Sequence, residues 1–83
     1  MTMIGGHVSD KTIGRLSLYR RILRELLESG RSQVFSHELA TLAGCTPAQV
    51  RRDIMNLGVL GTPAKGYDVE NLISGIGTVL DAD

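Results

Sequence analysis

The sequence predicts a mainly α-helical domain with a small β-hairpin, a winged helix-turn-helix. Three observations carry that expectation. Thr46 to Asn56 reads Thr-Pro-Ala-Gln-Val-Arg-Arg-Asp-Ile-Met-Asn, a short helix with a strong start signal. Another short helical stretch stops at Gly44, just before it. Beyond it, Val59-Leu60 and Lys65-Gly66-Tyr67 flank the turn-rich Gly61-Thr62-Pro63-Ala64. Two helices joined by a tight glycine-containing turn make a helix-turn-helix, and a hairpin following the second helix makes a wing.

In chain order, residues 1–10 are expected to form a flexible arm, because Gly5-Gly6 opposes regular structure, and residues 11–83 the winged-helix domain. Ser9 or Asp10 can cap a short lead-in helix. Leu16, Tyr19, Leu23, Leu26 and Leu27 then recur as a broad inward face, with Arg20, Arg21, Arg24, Glu25 and Glu28 outside, up to Ser29-Gly30. Gln33-Val34-Phe35 is a short strand with Val34 or Phe35 packed inside. Ser36 is placed to cap a helix over residues 37–43, with Leu39, Ala40, Leu42 and Ala43 inward, and Gly44 as the left-handed stop. In the next helix Thr46 is the N-cap, Pro47 suits the first position, and Gln49 completes a capping box. Val50, Ile54 and Leu57 form its apolar stripe, and Gly58 ends it. Pro63 must sit in the turn of the wing or at an edge. Asp68 opens a last helix whose Val69, Leu72, Ile73, Ile76 and Leu80 face inward, with acids where the helix dipole favours them.

Composition bounds the function. The 83 residues suffice for one domain, and 42% hydrophobic content is that of an ordinary globular chain. A single cysteine forms no internal disulfide, and no apolar run approaches the ~20 residues of a membrane span, so a cytoplasmic setting without membrane contact is expected. Neither His7 nor His37 has a partner at metal-ligand spacing, and no Ser/His/Asp set or carboxylate pair suggests catalysis; neither a metal site nor an enzyme is expected. The net charge is zero, yet its distribution is uneven. All nine basic residues lie between Lys11 and Lys65, against four acids there, a net +5 that the two ends balance. A basic body with acidic ends can present a positive face to nucleic acid.

The face of the Thr46 helix opposite its apolar stripe carries Ala48, Arg52 and Met55, flanked by Gln49, Arg51 and Asn56. Small and basic residues on a capped helix suit a major groove. Arg52 is central and is expected to contact base or phosphate. Arg51, to one side, is expected on a phosphate or in an ion pair at a domain contact. Gln49 is divided between capping and adenine, and Ala48 permits close approach or meets a thymine methyl. Thr46, Met55 and, on the wing, Lys65 complete the set of DNA-binding candidates. Arg15 and Tyr19 on the first long helix are candidates for packing or domain contacts. Cys45 is read as a small buried hydrophobe. The alternative to DNA binding is a winged-helix protein-interaction module, in which Ala48, Arg52 and Met55 would form the partner patch.

Four stretches resemble the N-terminal domain of the Rex family of redox-sensing transcriptional repressors: Arg15-Leu16-Ser17-Leu18-Tyr19, Thr46-Pro47-Ala48-Gln49-Val50-Arg51-Arg52-Asp53, Gly58-Val59-Leu60-Gly61 and Gly66-Tyr67-Asp68-Val69. The likeness runs without a gap from about Ile13 to Leu80. It implies a homodimeric repressor that grips an inverted-repeat operator in double-stranded DNA. It also implies a second, Rossmann domain that senses NADH/NAD⁺ and releases DNA when NADH binds. That domain is expected to be absent from these residues, because its first strand would begin about where the sequence ends. The chain alone is therefore expected to bind no cofactor and to be a monomer or weak dimer. Gly75-Ile76-Gly77 lies in a helical pattern with no preceding strand, so it is not taken as a nucleotide fingerprint. Thr62 and Pro63 stand where the family usually carries basic residues and Ala64 where it has glycine, which implies fewer phosphate contacts from the wing, with Lys65 restoring one charge.

Overall fold

The structure is a computed structural model that describes residues 8–82. The expected arm therefore lies mostly outside the described residues, but its last two positions do not belong to it. Ser9 caps the first helix, its Oγ accepting from the Thr12 N–H at 3.2 Å, and α1 (Asp10–Glu28) runs unbroken with no separate lead-in turn. Its inward face is Leu16, Tyr19, Ile22 and Leu23; Ile22 joins the expected set, whereas Leu26 and Leu27 are only half-buried.

Strand β1 (Gln33–Val34) leads into α2 (Ser36–Ala43). Phe35, not Ser36, is the cap residue: Ser36 is already helical, and the Glu38 carboxylate accepts from the Phe35 N–H at 3.0 Å. Leu39 and Ala40 are buried, but Leu42 is 56% exposed. It sits about 100° around the helix from the mean direction of Leu39, Ala40 and Ala43, so a single inward stripe cannot include it. Gly44 takes the left-handed conformation at φ 76°, as expected of a stop. Helix α3 (Pro47–Leu57) follows, with Val50 and Ile54 buried and Gly58 at φ 78°.

The wing differs from a hairpin whose two arms pair along their length. Strand β2 (Tyr67–Asp68) pairs antiparallel with β1, in the register Gln33 with Asp68 and Val34 with Tyr67. The segment between α3 and β2 is closed only by an isolated bridge. In it the Thr62 N–H donates to the Gly66 carbonyl at 3.0 Å and the Gly66 N–H to the Thr62 carbonyl at 2.7 Å. Val59 and Leu60 form no strand, and Leu60 is 92% exposed. Pro63, Ala64 and Lys65 form the turn that this bridge closes. Helix α4 (Val69–Leu80) starts from Asp68, whose carboxylate caps the Asn71 N–H at 2.9 Å. Its Val69, Leu72 and Ile76 close the core against α1.

Gly66 is the joint on which the wing turns. Its φ is +74°, and a Cβ there would overlap the Val34 carbonyl oxygen of the neighbouring strand. Gly66→Ala combines a left-handed alanine with a collision against backbone that cannot yield. We expect it to lower stability by about 2 kcal/mol, read as a fall in the thermal midpoint, with Gly30→Ala (φ +94°, nothing within 4 Å of the added atom) costing less.

Candidate nucleic-acid interface

Helix α3 begins as its sequence dictates. The Thr46 Oγ1 accepts from the Gln49 N–H at 3.1 Å, and Pro47 occupies the first turn, where its missing N–H costs nothing. The reciprocal half of the expected capping box is not made. Gln49 instead turns its amide inward, where Nε2 donates to Asp53 Oδ1 at 3.0 Å. That bond takes the place of the reciprocal cap contact.

The outer face of α3 holds what remains. Ala48, Arg51, Arg52 and Met55 are exposed, Met55 at 73%. Neither Arg51 nor Arg52 has a hydrogen bond or ion pair among the described residues, in contrast to Arg15, Arg20 and Arg31, each held by a carboxylate. The one acid of α3, Asp53, is only 3% exposed. The helix therefore presents two free guanidinium groups with no negative charge on the same face. Lys65, exposed in the wing turn, adds a third cation, and its backbone N–H is pinned by the Thr62 Oγ1 at 3.0 Å.

Asp53, which supports the interface from behind, is the residue that sequence reasoning missed. Arg15 grips it with two bonds, Nε to Oδ2 at 2.8 Å and Nη2 to Oδ1 at 3.0 Å. The Tyr19 hydroxyl donates to Oδ2 at 2.7 Å, and Gln49 completes the set. The buried carboxylate is thus fully satisfied, as burial of a charge demands. A visible signal existed: Asp53 stands three residues after Val50, at the edge of the apolar stripe, and α1 carries an Arg/Tyr pair spaced i, i+4. Of the packing and domain contacts expected of Tyr19, the structure shows packing: it is fully buried and bonded to Asp53. Arg15 keeps a quarter of its side chain exposed while bound to the same carboxylate. Cys45 is half-buried, its Sγ 3.7 Å from the Tyr19 hydroxyl.

Burial pushes the Asp53 carboxyl up, but hydrogen bonds from Arg15 and Tyr19, the Arg15 charge and Gln49 outweigh it and hold it below its ordinary value. The hydrogen bond to Asp53 raises Arg15 in turn, and burial with the same partner raises Tyr19. A carboxyl depressed in the folded state contributes stability that is complete above its unfolded pKa, about 4, and is lost as pH falls through the folded value. We expect stability to be flat from pH 7 to about 5 and to fall below about 4, with Asp53→Asn showing a shallower decline in a circular-dichroism pH series.

Elsewhere the arrangement offers little chemistry. Among the described residues no group of three or more His, Cys, Asp or Glu is placed to hold a metal ion, and no helix is long and apolar enough to cross a membrane. Gly75 and Gly77 lie inside α4; a Cβ at Gly75 would stand 3.1 Å from the Val59 side chain, so that glycine serves helix-to-loop packing.

Comparison with known proteins places this geometry. The family described as putative DNA-binding protein N-terminus matches residues 7–54, more than half of the chain. A Rhodopirellula baltica protein named redox-sensing transcriptional repressor Rex is 44% identical over 73 residues, which are 88% of this chain and 31% of that relative. One of the same name from Syntrophomonas wolfei is 42% identical over 76 residues, 92% of this chain and 36% of the relative. The chain thus spans about a third of the length of these curated relatives. Its fold is similar to the crystal structure of RSP in complex with β-NAD⁺ and operator DNA, with a TM-score of 0.78 and 37% identity, covering 95% of this chain and 35% of that one. This chain belongs to the family of putative DNA-binding protein N-termini, the N-terminal winged-helix domain of the Rex repressors.

Proposed function

We propose that this domain binds double-stranded DNA sequence-specifically, as the reading part of a Rex-like redox-sensing transcriptional repressor. Helix α3 enters the major groove, and the wing braces the adjacent backbone or minor groove. The observation that carries the reading is the outer face of α3: Arg51 and Arg52 unpaired, Ala48 and Met55 beside them, and the only acid of the helix turned inward. Arg52 reads a base edge, Ala48 and Met55 give apolar contact to thymine methyls, and Thr46 and Lys65 position the domain on phosphates. Two copies on half-sites related by two-fold symmetry would form the specific complex. NADH/NAD⁺ sensing belongs to a Rossmann domain outside these residues; the domain itself holds no cofactor and catalyses nothing, and it works in the cytoplasm.

The wing departs from the family pattern at Thr62, Pro63 and Ala64, so Lys65 is its one cation. Removing a phosphate contact weakens binding evenly across sequences and lowers the slope of log K against log salt by about 1. Lys65→Ala is therefore expected to weaken operator and scrambled duplex alike, with that drop in slope, in an anisotropy titration at several salt concentrations. A slope unchanged from wild type would remove the wing from the interface.

A further inference from the structure

We propose that the groove between the start of α2 and the wing is a distinct backbone site, in which Arg51 and His37 together hold one phosphodiester of the bound duplex. The proposal rests on the DNA-binding reading above and adds to it a residue, His37, that neither the helix pattern nor the family likeness singles out.

The groove encloses about 340 Å³ and is lined by Phe35, Ser36, His37, Arg51, Thr62 and Tyr67 among others, with no acidic residue. The nearest acid on α2, Glu38, is committed elsewhere, its carboxylate taking the Phe35 N–H and the Arg31 guanidinium at 3.0 Å. Four side chains on the lining carry donors with no hydrogen-bond partner among the described residues: the Arg51 guanidinium, the His37 imidazole and the Ser36 and Tyr67 hydroxyls. The His37 ring stacks on Phe35, centroids 5.5 Å apart and planes 12° from parallel, which holds the imidazole in a fixed plane at the groove. The opposite wall is equally fixed. The Tyr67 ring lies so close to Gly61 that a Cβ there would come within 2.8 Å of it. A concave site of convergent donors without a carboxylate suits an anion with several acceptor oxygens, and a guanidinium matches phosphate geometry in a two-pronged way. The groove adjoins the outer face of α3 through Arg51, so a phosphodiester seated there flanks the major groove that the helix enters.

Arg51→Gln and His37→Gln both alter exposed side chains and leave the core untouched. Each is expected to weaken binding roughly 3- to 10-fold, the size of one net hydrogen bond, on an inverted-repeat operator and on a scrambled duplex alike. A scan replacing one operator phosphate at a time by uncharged methylphosphonate should find one position per half-site where wild type loses as much as the double variant, and where the variants lose nothing more. Variants that bind like wild type, or losses that multiply at every position, would overturn the groove. Inorganic phosphate that perturbs the His37 and Arg51 NMR signals without being displaced by DNA would also overturn it, as a free-phosphate site. Failure of wild type to bind either duplex would instead sink the DNA reading on which the groove depends.

Discussion

Asp53→Ala is expected to be the most damaging substitution of a charged side chain among the described residues. The carboxylate accepts four bonds from Arg15, Tyr19 and Gln49, and its loss leaves a partly buried guanidinium and a buried hydroxyl without partners. Breaking a buried pair from one side costs ~3–5 kcal/mol, and the quarter exposure of Arg15 brings the expectation down to about 2–4 kcal/mol. A domain of this size has roughly 4–12 kcal/mol in hand, so the variant should melt well below wild type or be largely unfolded at 37 °C. Asp53→Asn keeps the shape but offers an NH₂ where donors already converge, and should fall between the two. Tyr19→Phe removes one donor only and should cost least, about 1 kcal/mol. If Asp53→Ala melts within a few degrees of wild type, the network is not what fixes α3 to α1.

Arg52→Ala carries the largest expected effect on function. The side chain is exposed, lies centrally on the outer face of α3 and has no partner among the described residues, so its removal leaves the fold intact. A bidentate arginine–guanine pair discriminates by ~1–3 kcal/mol, which is roughly 5- to 150-fold. The variant should lose that factor on the operator while keeping most of its affinity for a scrambled duplex, since the phosphate contacts survive. That asymmetry separates it from Lys65→Ala, which weakens both duplexes together. Equal loss on both would make Arg52 a backbone contact and move base reading to its neighbours on α3.

Much of this was legible in the sequence, for identifiable reasons. Thr46 and Pro47 announced the start of α3, Gly44 and Gly58 the ends of two helices, and the 3.6-residue period sorted Val50 and Ile54 from Ala48 and Arg52. Those signals are local. What stayed hidden depends on which distant segment arrives: β2 pairs with β1 across the domain, and the wing closes by one bridge and not a ladder. Gln49 has the right position for a capping box, yet Asp53, one turn along and buried by α1, draws it away. Asp53 itself was counted as one charge among nine acids, because a sequence does not say which acid will meet an arginine 38 positions earlier. His37 has no neighbour in the sequence that marks it, and only the fold brings it to the same groove as Arg51.

The central claim is that α3 reads DNA, and wild-type anisotropy on an inverted-repeat operator and a scrambled duplex of equal length tests it most directly. Residues 1–83 titrated by themselves are measured without the avidity of ~10²–10⁴ that a linked second copy supplies, so the titration belongs at low salt first and physiological salt second. The account predicts modest, salt-sensitive affinity with a clear preference for the repeat at both salts. Equal binding to both duplexes, vanishing together as salt rises, would contradict it and leave the exposed face of α3 as a surface for a protein partner.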